Sequence, residues 1–236
     1  MAVESKTLPA EASAIPPARK VRSLALPAAY RRHFVWVQVI IVFLFLEFAL
    51  WAPTRNIRNF WAVITMITIL ILVLADQPSL ERLGLRLPKT PGASVVLGIG
   101  FLAVIFMVLL VNSVGGQIPA NQTWPAVHRV CRYVIWALIQ EFILQSFFFN
   151  RFEELYGGSA AVWIASTLFA VAHLPSPVLT AATLIGALFF CEMFRRYRSI
   201  YFLGIVHAML GLTIAIITPN SMLLHHMRVG IRYLQY

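Results

Sequence analysis

The chain has 236 residues, 60% of them hydrophobic and only 12% charged, and its mean hydropathy is +0.79. Soluble domains average about 25% charged residues, so this composition excludes an ordinary water-soluble enzyme or binding domain. The net charge of +10 does not indicate nucleic acid as a partner. Its basic residues fall in the gaps between apolar runs, where cytoplasmic loops and anionic lipid account for them.

Residues 1–33 read as a disordered, basic cytoplasmic tail, rich in Ala and Pro with Arg19, Lys20 and Arg22. No hydrophobic core of a cleavable signal peptide occurs in the first thirty residues. Seven apolar runs follow, at about 34–51, 60–75, 94–112, 129–150, 159–175, 177–194 and 200–217. Together they predict an all-α, polytopic transmembrane helical bundle of about seven spans, in contact with the lipid bilayer on all sides. Between the second and third runs, residues 77–88 alternate apolar and basic side chains, which suggests a short interfacial helix. Residues 218–236 read as an interfacial C-terminal tail. His225 and His226 there are adjacent, so on a helix they point about 100° apart and do not readily share one ion. With the N-terminus inside, thirteen Lys and Arg fall on the inner side and six on the outer, which favours that orientation. Cys131 and Cys191 lie inside apolar runs and read as small buried apolar residues rather than as a disulfide or a metal site.

Three blocks inside these runs carry ionisable groups. They are Gln140-Glu141-Phe-Ile-Leu-Gln145 on the fourth, Phe169-Ala-Val-Ala-His173 on the fifth and His207-Ala-Met-Leu-Gly211 on the seventh. An acid placed at the centre of a spanning helix costs about 2.5–3.5 kcal/mol on insertion scales. One such residue alone is readily explained as hydrogen-bonding glue between helices. Three on separate spans point to a shared site. Glu141 and Gln145 lie one turn apart on one face, as do Phe169 and His173, and Gln140 is rotated about 100° from Glu141. The chemistry available to a carboxylate and two imidazoles is general-base activation of water with stabilisation of developing charge. Other acids read as structural. Glu192, followed by Arg195 and Arg196, suits a local ion pair. Glu153 and Glu154 read as solvated groups in an inner loop, and Glu47 either lines a cavity or faces a partner such as Arg132.

The three blocks resemble the motifs of the CAAX-protease and bacteriocin-processing family, the type II CAAX prenyl endopeptidases or Abi family. That family carries a Glu-Glu-x-x-x-Arg block, a Phe-x-x-x-His block and a His-x-x-x-Asn/Asp block in this order, with a helix between the last two. The resemblance covers about residues 125–217. In letters, Gln140 stands in place of the first Glu, Gln145 in place of Arg, and Gly211 in place of Asn or Asp. An amide at 140 cannot accept a proton, though it can orient water. The resemblance implies an intramembrane endopeptidase acting on a membrane-associated or lipid-modified protein near its terminus. In it, Glu141 is the base, His173 and His207 position water and stabilise the oxyanion, and Gln140, Gln145 and Phe169 support them. No cofactor is favoured, although Glu141, His173 and His207 also form a chemically reasonable zinc set. The alternatives are a non-catalytic pseudoprotease that binds hydrophobic peptide or lipid, and a His-site membrane metalloenzyme. The expected location is the inner membrane of a bacterium.

Overall fold

The computed structural model describes residues 28–87, 90–113, 127–217 and 227–235. Residues 1–27 of the tail expected at 1–33, and His225 and His226, lie outside the described residues, whereas residues 28–33 of that tail are helical. Among the described residues the secondary structure is helical, with a single isolated antiparallel bridge between Leu85 and Ser199.

Helix α1 (Ala28–Leu50) begins six residues earlier than the first apolar run, and α2 (Arg55–Ala75) returns antiparallel to it. Thr54 caps α2 by accepting from the Ile57 amide. Helix α3 is Thr90–Ser113, and α4 is Val127–Glu141. Helix α4 runs on through a π-helical segment, Phe142–Phe149, into α5 (Asn150–Tyr156). Gly157, at φ 81°, turns the chain into α6 (Gly158–Val171). After a turn over 172–176 comes α7 (Pro177–Tyr197), opened by Pro177 and by Ser176, whose hydroxyl accepts from the Leu179 amide. Helix α8 is Tyr201–Ile217.

Helical rods therefore stand at all seven expected positions, but they are not seven equal spans. Four helices, Tyr30–Leu50, Arg55–Ala75, Gly92–Ser113 and Pro177–Tyr197, are long and apolar enough to cross a membrane. Helices α6 and α8 have 14 and 17 residues. At 1.5 Å per residue they reach about 21 and 26 Å, short of a hydrocarbon core of about 30 Å. Large apolar side chains cover the outside, among them Phe101, Leu102, Phe106 and Leu109 on α3. A surface of that kind has lipid rather than water as its partner. The protein is an integral membrane protein.

The π-helical segment is the centre of the bundle. All six residues from Leu144 to Phe149 are buried, so no side of the rod faces outward. Phe147, Phe149, Phe152 and Phe194 are fully buried, with Phe149 and Phe194 edge to face at 5.6 Å. Of the interfacial helix expected at 77–88, the described residues 77–87 form turns instead. Leu83 N donates to Ser79 O at 3.1 Å in a single turn, which Gly84 ends at φ 71°. A side chain at Gly84 would collide with the Phe194 ring. Ile200 N then donates to Gly84 O, tying this turn to the start of α8. Cys191 is buried as expected, whereas Cys131 is exposed on the outer face of α4.

Candidate active site

Glu141 is the last residue of α4 and has no exposed surface. Its Oε1 meets His207 Nδ1 on α8 at 2.8 Å, and its Oε2 accepts from Gln145 Nε2 at 3.1 Å. The pairing depends on how closely α4 and α8 approach. Glu141 faces His207, Leu138 faces Gly204 and Tyr133 faces Gly211, so the two helices run antiparallel along a seam notched by glycines. A Cβ at Gly204 would press into the Leu138 side chain and stand 3.2 Å from its Cα, closer than ordinary packing, so a glycine lets the helices approach.

His173 lies in the turn after α6, beside the cis Leu174–Pro175 peptide, and its Nδ1 is 2.7 Å from the Phe169 carbonyl oxygen. A carbonyl only accepts, so Nδ1 carries the proton and the lone pair is on Nε2. The Phe169 ring joins the two histidines, with centroids 4.8 Å from His173 and 6.0 Å from His207. Phe190 stacks on the His207 ring at 5.2 Å and 14°. The His207 side chain retains 12% exposure against none for Glu141, so the imidazole is the member of the couple with accessible surface. Cys191, beside Phe190, lies against Ser166 and Gln145.

The structure thus brings Glu141, Gln145, Phe169, His173 and His207 together, while Gln140 sits half-buried on an adjacent face of α4. Sequence reasoning missed Phe190 and Tyr133, because aromatic side chains in apolar runs carry no distinguishing signal. Tyr133 lies eight residues before Glu141, about two turns, and that spacing was the clue available. Among the described residues no group of three or more His, Cys, Asp or Glu is placed to hold a metal ion.

The remaining acids are bound more tightly than their sequence context suggests. Glu153 and Glu154 lie in α5, not in a loop, each with a quarter of its side chain exposed. Glu153 pairs with Arg198, and Glu154 with Arg31 at 2.6 Å and Arg82 at 3.0 Å. Packing of α5 beneath the turn at 79–84 draws both inward. Arg151 is buried over the Phe147 ring and donates to Gln38 at 2.8 Å and Asp76 at 3.0 Å. Burial pushes its guanidinium below the ordinary value, opposed by Asp76 and Glu154. Glu192 binds Arg195 and Arg196 as expected. Glu47 accepts from Trp51 Nε1 at 2.9 Å, and its other oxygen is buried without a hydrogen-bond partner among the described residues.

A helical membrane bundle with a carboxylate–imidazole couple at its centre and a second histidine on a shared aromatic frame has the parts of an intramembrane hydrolase. Residues 122–213, from the approach to α4 into α8, match the family model described as type II CAAX prenyl endopeptidase Rce1-like. That segment is thus similar to an Rce1-like CAAX protease domain. No curated protein and no solved structure matches it.

Proposed function

We propose that this domain is an intramembrane endopeptidase that hydrolyses a peptide bond near the terminus of a membrane-associated or lipid-modified protein. The observation that carries the reading is the 2.8 Å contact between Glu141 Oε1 and His207 Nδ1, made across two helices in an apolar interior. With the carboxylate ionised, Nδ1–H donates to it and Nε2 keeps its lone pair, so the couple accepts a proton from water as a unit. The buried negative charge then stabilises the imidazolium, as the aspartate does in a Ser-His-Asp triad. Gln145 holds the carboxylate in place. His173, with its lone pair on Nε2, accepts a hydrogen from the attacking water and aims its oxygen. Hydroxide adds to the carbonyl carbon, and the proton stored on His207 passes to the leaving amine.

This reading uses no metal: Glu141 and His207 engage each other, and His173 Nε2 is given to the attacking water. Its check is the zinc content of protein purified without added metal. Stoichiometric zinc, removed by chelator together with activity, would replace it with a zinc site on Glu141, His173 and His207. The central experiment incubates purified wild type and Glu141→Gln with a pool of the host's membrane proteins and with a prenylated C-terminal peptide. Cleavage by the wild type alone is the expected result. A second reading, the pseudoprotease, is favoured by the complete burial of Glu141 and the engagement of both its oxygens. It predicts that both proteins bind the lipidated peptide and neither cuts it.

A further inference from the structure

We propose that Tyr133 is a further residue of this site, its phenolic hydroxyl donating to the substrate carbonyl oxygen as that oxygen becomes an oxyanion. The inference rests on the hydrolytic reading above and adds the donor that reading lacks. Addition of hydroxide moves a negative charge onto the carbonyl oxygen, and such sites place fixed donors where the charge develops. Neutral His173 offers only an acceptor at Nε2, its Nδ1–H being taken by the Phe169 carbonyl, and His207 Nε2 gains a hydrogen only after taking one from water. A second donor must therefore come from elsewhere.

Gly211 shows where. It lies four residues after His207, on the same face of α8 and about 6 Å along the axis. A Cβ built there would collide with the Tyr133 hydroxyl oxygen, and would stand 2.9 and 3.1 Å from the ring carbons Cζ and Cε1. The oxygen, more than the ring, occupies the space that a side chain at 211 would take. Gly211 is buried and Tyr133 half-buried, so the hydroxyl is delivered from α4 into the interior rather than to lipid. The same two helices make the Glu141–His207 contact, so the seam that sets the proton acceptor also sets this donor. A packing role alone would be filled as well by phenylalanine.

The test is steady-state cleavage by wild type, Tyr133→Phe, Gly211→Ala and the double variant, with Glu141→Gln in the same assay. Tyr133→Phe is expected to lower kcat about 10²–10³-fold, the usual worth of one oxyanion donor, with KM little changed. Gly211→Ala should lose activity by displacing the hydroxyl, and should lose less in the Tyr133→Phe background, where only the ring contacts remain. Gly211→Asn combined with Tyr133→Leu, which moves an amide donor onto α8, should recover part of the loss. Wild-type kcat in Tyr133→Phe while Glu141→Gln is inactive would overturn this inference and leave the hydrolytic reading standing. Additive losses from the two single variants would also overturn it, since a ring clash is independent of the hydroxyl. A wild type as inactive as Glu141→Gln would remove both.

Discussion

At the scale of single residues the proposed site rests on the Glu141–His207 contact, through which the two side chains are proposed to act as one unit. Glu141→Gln keeps the shape and the hydrogen bond to Gln145 but removes the charge that supports an imidazolium on His207. The expected loss is about 10²–10⁴-fold in kcat, the usual worth of a general base. His207→Ala should lose a comparable amount, and the double variant little more, because the two act as one unit. Gln140→Ala should lose less than either, since Gln140 lies on an adjacent face. Cleavage assays on the four proteins check this, and equally small effects throughout would favour the pseudoprotease. Glu141, His173 and His207 were legible in the sequence because an ionisable group inside an apolar run is costly and therefore conspicuous. Phe190 and Tyr133 were not, because aromatic side chains are ordinary in such runs.

Among the helices, the contact between α4 and α8 decides whether that couple exists. Gly204→Ala places a methyl group against Leu138, including its backbone, and forces the helices apart. Overpacking of this kind costs about 1–3 kcal/mol, so the melting temperature in detergent should fall and cleavage with it. Gly98 on α3 is the control, because nothing stands within 4 Å of a Cβ built there. Gly98→Ala should be neutral or stabilise by about 0.5–1 kcal/mol through lower helix entropy cost. Equal effects of the two substitutions on the melting temperature would show that the seam does not single out Gly204. The helices themselves were readable from runs of apolar residues, to within a few positions. The π-helical stretch at 142–149 and the failure of 77–87 to become a helix were not, since both depend on what surrounds them.

Over the whole molecule, the end at which α1 begins is held by buried charge. Arg151 joins α1 through Gln38 and the end of α2 through Asp76. Arg151→Met keeps the packing over Phe147 but leaves the buried Gln38 amide without its donor. We expect a loss of about 1–3 kcal/mol, read as a lower unfolding temperature. Arg151→Lys should rescue little, because an ammonium cannot reproduce the planar fork that reaches both partners. Beside it, a cleft of about 430 Å³ is lined by Arg31, Arg82, Arg198, Glu153 and Glu154, residues that fall on the expected inner side. Cysteines introduced at Thr54 and Ser79 in a Cys131→Ser background test that orientation. An impermeant maleimide should label position 54 in intact cells and position 79 only after permeabilisation, and the reverse pattern would place the N-terminus outside.

The apolar runs and their order were enough to establish a helical membrane bundle with a carboxylate and two imidazoles in its interior. Those features are local, set by transfer from water to lipid and by the impossibility of leaving backbone unpaired there. Only the tertiary structure decided that Glu141 meets His207 directly, that His173 joins them through Phe169, that Glu153 and Glu154 are ion-paired, and that Tyr133 fills the notch at Gly211. These depend on the rotation and register of one helix against another. An apolar run specifies that a helix is buried but not which neighbour each face meets, and in this chain glycines at 204 and 211 settle that between α4 and α8.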